Sequence, residues 1–500
     1  MSMGSSDLLP LLSAPLMDLP VDNVFQVLKF ADPRDIFAFG QTCTKYQEIN
    51  KTRTVWINAL RRVCEINSLF VPSFPYDEMS LSELQRAATF GASPRFARRL
   101  YKQQADAVPG SLTPCSWRIF TPRVAKSSNV ASEEPGTLKA LRIVPGGRFM
   151  VIATDTLVHL WDLGYDATKL IKPHALASIA LPEPNSEPSI SVLPTKDGIG
   201  LEVMIMAYNH DKNTVAIYHI FPLDARPEFI CVAQTQVLTP FLRGFLAKPG
   251  YSVFRSDKNI LVWDSARNLW SGWRAEEYPS HLFAYQDIIV GVGAKTITLW
   301  EAPLPNRDSD TITLSDLDTH LPLLTLSHPF PGRSGHGVEI GSSTDWFCAT
   351  SIKPCFISIS GFKENTRYIA RYMMHSLHGP RNPNIPGSIP ILMDQSPIAD
   401  AADHLDYCEG IHPCGGNVFA AWTSESSSVI EVSISPMPIE RKNEGPTFNS
   451  VLLFEYPGDR RPEDFDLSIC PFAGRLCTVG GEGNEIIVLD FLKPGWKDEY

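Results

Sequence analysis

RFMVIATDTLVHLWDLG, residues 148–164, is an apolar strand, a polar Asp-Thr turn and a second apolar strand. That pattern predicts an antiparallel β-hairpin. The phrase returns along the chain as VMIMAYNHDKNTVAIYHI (203–220), YSVFRSDKNILVWDS (251–265) and DIIVGVGAKTITLWEA (287–302). Weaker copies are DWFCATSIKPCFISIS (345–360), NVFAAWTSESSSVIEVSIS (417–435) and RLCTVGGEGNEIIVLDF (475–491), which makes seven. Aligned on Trp161, the copies fall at 161, 218, 263, 300, 358, 433 and 489.

Three copies end in Leu160-Trp161-Asp162, Val262-Trp263-Asp264 and Leu299-Trp300-Glu301, and these resemble the ending of WD repeats. Blades of that family recur about every 40–45 residues. The longer spacings here require inserted loops, supplied by the Pro- and Gly-rich stretches 302–336 and 375–413. The other four copies lack the Trp, and no regular Gly-His opens each unit. The resemblance implies a degenerate WD-like β-propeller over residues 137–492, with seven blades favoured and six or eight allowed. Trp161, Trp263 and Trp300 then read as packing between blades rather than as ligand contacts. If each phrase supplies the second and third strands of a blade, the last blade lacks an outer strand. Ser116-Trp117-Arg118-Ile119-Phe120-Thr121, within the Pro/Ser/Thr-rich linker 107–136, is expected to pair there and cover the open edge.

Residues ahead of the linker read differently. Val24, Phe25, Val27 and Leu28 lie at helical spacing, Asp32-Pro33 forms a helix start, and Ser80 with Glu83 forms a capping box. A last helix begins at Ser93-Pro94 and carries Arg95, Arg98, Arg99 and Lys102, which read as a solvated face. The fold class is therefore multidomain, a small α-helical bundle followed by an all-β body. Such a bundle has little core of its own, so a leftover apolar face favours docking on a partner.

Residues 16–60, LMDLPVDNVFQVLKFADPRDIFAFGQTCTKYQEINKTRTVWINAL, resemble an F-box. The positions that carry the resemblance are Leu19-Pro20, Asp22, Val24, Val27, Leu28, Phe30, Asp32-Pro33, Asp35-Ile36, Cys43, Tyr46 and Trp56. Asp22 stands where many members have Glu, and Tyr46 where another aromatic is common. Within an accessory helical region over 61–106, the segment Ser80–Gln103 resembles, less specifically, the extra helices that follow F-boxes in fungal proteins. The resemblance implies binding to the adaptor subunit of an SCF ubiquitin ligase, and through it to a cullin. The residues it points to are Leu19, Pro20, Val24, Val27, Leu28, Pro33, Ile36, Phe39 and Trp56. The propeller would then hold a protein substrate for ubiquitin transfer by other subunits. A non-degradative scaffold and, less favoured, a propeller enzyme are the rival readings.

Composition bounds the rest. The chain has 500 residues, 44% of them hydrophobic and 20% charged, and a net charge of -11. Residues 1–110 hold 12 Lys+Arg against 11 Asp+Glu, so the head is near neutral and the remainder carries -12. That balance argues against nucleic-acid binding and favours a basic substrate segment over an acidic one. No signal peptide or apolar run of membrane-spanning length is recognised. The ten dispersed cysteines suit reduced thiols of a cytoplasmic or nuclear protein. No catalytic residue, cofactor or resident metal is assigned. His404, Cys408, His412 and Cys414 are the one metal-like cluster, at a spacing that matches no standard zinc module. Gly480-Gly481-Glu482-Gly483 lacks the helix of a phosphate loop and reads as a tight turn, as does Gly146-Gly147.

Overall fold

Asp32 caps helix Pro33–Gly40 through a 2.9 Å bond from the Arg34 amide, and the carbonyl of Pro20 receives the Asn23 and Val24 amides at the start of Val21–Leu28. These local bonds begin a computed structural model that describes residues 19–91, 95–105, 111–123 and 136–492. The last stretch has breaks, the longest at 331–338, 375–388, 437–448 and 456–466. The chain divides into two units, 1–63 with 76–92 and 64–75 with 93–500.

The first unit contains α1 (Val21–Leu28), α2 (Pro33–Gly40), α3 (Thr44–Asn50), α4 (Arg53–Ile66), which it shares up to Val63, and α5 (Leu81–Gly91). The expected capping box is formed: the Ser80 amide donates to Glu83 at 2.6 Å and the Glu83 amide to the Ser80 hydroxyl at 3.3 Å. Arg53 donates to the carbonyls of Tyr76 and Met79, tying the two chain segments of the unit together. Gly40 is dictated by contact, since a Cβ there would overlap the Asn50 side chain.

The second unit is mostly β. Among the described residues it holds seven sheets, built from consecutive antiparallel strands. Their first strands are Leu138–Ile143, Glu187–Pro194, Arg243–Lys248, His281–Tyr285, Glu339–Ser342, Leu405–Cys414 and Leu467–Cys470. First strands of neighbouring sheets run side by side for most of the series, and the seventh lies beside the first. Side chains bridge two of these neighbours: the Ile143 amide donates to Ser468 Oγ at 3.0 Å, and the Leu246 amide to Ser191 Oγ at 3.1 Å. The fourth and fifth sheets share a core that includes Phe283, Trp300, Ile357 and Tyr372. Trp161, Trp263 and Trp300 are all buried in clusters that join different sheets, which is the packing role read from sequence.

Six of the seven repeat phrases are the second and third strands of a sheet. The fifth is displaced. Its hairpin is Cys355–Lys363 with Thr366–Met374, so the segment 345–360 holds one strand of the pair rather than two. Trp346 sits in a helical turn and its indole donates to the Ser68 carbonyl at 2.7 Å.

Ser116–Phe120 pairs antiparallel with Ile486–Asp490, as expected, and becomes the fourth strand of the last sheet. Asp490 joins this seam, with Arg118 at 2.7 Å on one oxygen and Arg475 at 2.5 Å on the other. Further guanidinium N–H groups reach the turns beside the first sheet: Arg118 donates to the carbonyls of Leu163 and Lys169, and Arg475 to those of Gly147 and Gly164, while Arg118 Nε has no partner among the described residues. Gly146 and Gly147 form the turn there, at φ +109° and +78°, where a side chain would be strained.

Further findings differ from the sequence reading. The helix α6 (Arg95–Ala105), expected among the accessory helices of the head, belongs to the β unit: Phe96 and Leu100 are buried with Phe419, Leu476 and Phe491. Arg99 is not part of a solvated face, because it donates to the carbonyls of Thr113 and Phe491. Residues 64–75 join the same unit through Phe70, which packs on Phe149 and Trp346. The insert after residue 302 is not a simple loop either. Arg307–Asp308 adds to the edge of Leu269–Arg274, and Thr311–Ile312 runs parallel to Ile230–Val237, so one strap covers the outer edges of two sheets. Most of linker 107–136 outside the closing strand lies beyond the described residues.

Asp490→Asn leaves two buried guanidiniums sharing a neutral amide, and a loss of about 3–5 kcal/mol is expected. Urea denaturation read by the fluorescence of the buried indoles measures it; a change under about 1 kcal/mol would contradict the closing role. A second expectation concerns pH. Burial pushes the His159 imidazole, bonded to Ser178 at 2.8 Å, from 6.5 down to about 4. Below 6.5 the unfolded chain takes up a proton that the native site refuses, so stability is full above 6.5 and falls as pH drops toward 4. The loss attributable to His159 is at most about 3 kcal/mol across that window. His159→Gln should flatten the pH dependence of the unfolding midpoint between those values.

Candidate partner-binding site

Helix α1 carries more apolar residues than one inward stripe needs. Val24 and Leu28, one turn apart, are buried at 2% and 4% exposure. Ile36 and Trp56 are fully buried, and Pro33 is buried with them. The Trp56 indole donates to the Asn50 carbonyl at 2.7 Å and its ring lies 4.6 Å from that of Phe37. These five residues build the interior of the helical unit.

The other four residues singled out from sequence lie at the surface. Pro20 is exposed and Leu19 half-buried, with its carbonyl accepting from Lys45 at 3.3 Å. Phe39 is half-buried and stacks on Tyr46 at 3.9 Å between ring centroids. Val27 is 54% exposed. Two residues outside the nine join it: Val21 at 43% and Phe30 at 67% exposure. For Val27 the signal was present in the sequence, because it is apolar yet lies off the Val24–Leu28 stripe; Val21 falls on that stripe at i, i+3 and i+7 spacing, and its exposure could not be read from spacing. Val21, Val27 and Phe30 are thus the exposed apolar side chains of α1 and the turn that follows it, on a unit with a small core.

The remaining chemical candidates resolve differently. Cys408, His412 and Cys414 lie on one strand, Leu405–Cys414, rather than in a loop. At about 3.3 Å per residue, the backbone positions of Cys408 and Cys414 stand roughly 20 Å apart along it. His404 lies outside the described residues. The Gly480 segment connects Arg475–Val479 to Ile486–Asp490, with the Gly480 amide bonded to the Glu485 carbonyl at 2.7 Å. A strand follows it, so it has no helix N-terminus with which to hold a phosphate. No helix of the described residues is long and apolar enough to cross a membrane.

No protein-family model and no curated protein matches this sequence. Solved structures similar to it include the WD40 domain of SCAP from fission yeast, at 12% identity over 73% of this chain and 84% of that one, with a TM-score of 0.42. Hsv2 of Kluyvelomyces marxianus aligns at 10% identity over 64% of this chain and 87% of its own, with a TM-score of 0.37. Hsv2 of Kluyveromyces lactis aligns at 7% identity over 63% and 98%, with a TM-score of 0.31.

The division between interior and surface is testable by stability alone. Trp56→Ala should cost about 3–5 kcal/mol. Phe30→Ala should change stability by no more than about 0.5 kcal/mol. Comparable losses for both would mean that Phe30 is covered in solution.

Proposed function

We propose that the helical unit is an F-box that docks on the adaptor subunit of an SCF ubiquitin ligase, and that the β unit is a seven-bladed WD-like propeller that holds a protein substrate. The observation that carries the first part is the exposed apolar set Val21, Val27 and Phe30 on the segment whose sequence resembles the family. A small helical unit gains by covering such side chains with a partner. Val24, Leu28, Ile36 and Trp56 then act from inside, holding α1 and α2 at the spacing a partner reads. Leu19-Pro20 fixes the entry of the chain into α1.

Seven consecutive antiparallel sheets, neighbouring first strands and an N-terminal strand that completes the last sheet support the second part. On this reading the protein performs no chemistry of its own. It raises the effective concentration of a substrate lysine near the charged conjugating enzyme, as any tether does.

Co-expression with the SCF adaptor subunit tests the proposal. Wild type should co-purify with it stoichiometrically, and Val27→Asp/Phe30→Asp should abolish the complex while leaving thermal unfolding unchanged. Absence of a complex with wild type, where an established F-box protein binds, would overturn the reading.

A further inference from the structure

Phe30 lies just past the end of α1, yet its amide donates to the Val27 carbonyl at 3.0 Å, so the helical spiral continues as far as Phe30. Val27 and Phe30 are therefore neighbours one turn apart, at 54% and 67% exposure. Asn23 precedes Val27 by four residues and Gln26 precedes Phe30 by four, which places these exposed amides on the same face. The face is apolar at its centre, amide-bearing at its flank and without charge. Asp22 and Lys29 stand beyond Gln26, away from Val27.

The chain immediately ahead of α1 suits such a face. Residues 8–17, outside the described residues, read LLPLLSAPLM, with six Leu or Met, two Pro and no charged residue. Pro10, Pro15 and Pro20 recur every five residues. Proline withdraws an amide donor and holds the residue before it in extended backbone, so a stretch so punctuated favours an extended, polyproline-like course over a helix. Such a backbone leaves its carbonyls open and docks on aromatic rings flanked by hydrogen-bond donors. Phe30 supplies the ring, and the side-chain amides of Asn23 and Gln26 supply the donors. The length matches too. The chain bends at Leu19, whose carbonyl accepts from Lys45 at 3.3 Å. From Pro20 to Phe30 is about 15 Å at 1.5 Å per residue. After a reversal of about two residues, about five residues at roughly 3.1 Å each cover that distance and bring Leu11 and Leu12 level with Phe30.

We infer that residues 8–17 lie across the face formed by Asn23, Gln26, Val27 and Phe30, so that the chain carries its own occupant of the surface at which the adaptor docks. A tethered segment meets that face at an effective concentration that stays high however dilute the protein is. The cover is light, because a partner has to displace it; a site closed about two-thirds of the time binds its partner about threefold more weakly. The competition rests on the reading of the helical unit as an F-box, whereas the contact itself does not.

Two readouts test this on the full-length chain and on a chain lacking residues 1–17. Hydroxyl-radical footprinting read by mass spectrometry reports the exposure of Phe30 without any partner. Oxidation of Phe30 should rise about threefold in the shortened chain. Oxidation of Phe70, 1% exposed, should stay constant as the internal reference. The purified adaptor subunit should bind the shortened chain about threefold more tightly than the full-length one. Leu11→Ser/Leu12→Ser in the full-length chain should reproduce both effects, and Leu304→Ser, at an 82% exposed position of the β unit, should reproduce neither. Phe30 oxidation that is the same with and without the segment overturns the contact. Adaptor affinity that is unchanged by the deletion, or that falls because the segment itself holds the adaptor, overturns the competition. Absence of adaptor binding to either chain overturns the F-box reading and the competition with it, while footprinting still decides the contact.

Discussion

The carboxylate of Asp490 lies between two guanidiniums, one of which belongs to a residue 372 positions earlier in the chain. Sheets built in sequence leave a seam where the last meets the first, and hydrogen bonds within each sheet do nothing to hold it. Here the closing strand Ser116–Phe120 supplies main-chain pairing, and the Arg118–Asp490–Arg475 cluster supplies the cross-link. Burial alone would lower the proton affinity of Arg118, and the positive charge of Arg475 adds to that; Asp490 opposes both. Terminal donors of the cluster end on the carbonyls of Gly147, Leu163, Gly164 and Lys169, which offsets part of the cost of burying it, although Arg118 Nε is left without a partner among the described residues. Helix α6 reinforces the seam from outside, with Arg99 bonded to the Phe491 carbonyl just beyond Asp490.

Hairpins are local, and so they were legible. An apolar strand, a polar turn and a second apolar strand were enough to locate six pairs and to predict the closing strand. The fifth failed for a reason that can be named. Residues 345–360 contain two apolar patches around Lys353-Pro354, which imitate a turn between strands. The true hairpin instead turns between Lys363 and Thr366, and its first strand alternates with Ser358 and Ser360. The strap was illegible for a different reason. Arg307–Asp308 and Thr311–Ile312 each pair over two residues, too short for any periodicity, and their partners lie far back in the chain.

Periodicity identifies which face of a helix is apolar without naming what covers it. On α6, Phe96 and Leu100 stand four residues apart and share a face, and while proximity in sequence assigned the helix to the head, the cluster around Phe419 and Phe491 claims that face. The same ambiguity runs through α1. Val24 and Val27 are chemically identical and three residues apart, yet one is 2% exposed and the other 54%. A ridge read as one surface is therefore two sets, an inner one that sets the spacing of α1 and α2 and an outer one that a partner can reach. Only the packed positions of Ile36 and Trp56 decide which is which.

Charge illustrates the limit most sharply. A surplus of -12 spread over the body says little about two positions that register brings face to face. Register in the third sheet is set by an irregularity between Leu246 and Lys248, where one strand holds an extra residue. If the register of Lys248 and Tyr251 continued unbroken through Ala247, Arg243 would stand opposite Ser256 rather than Arg255, and its side chain would turn to the other face of the sheet. The facing of Arg243 and Arg255 therefore depends on a break in register about four positions away. Nothing in composition, spacing or motif carries that information; it exists only once the strands are paired.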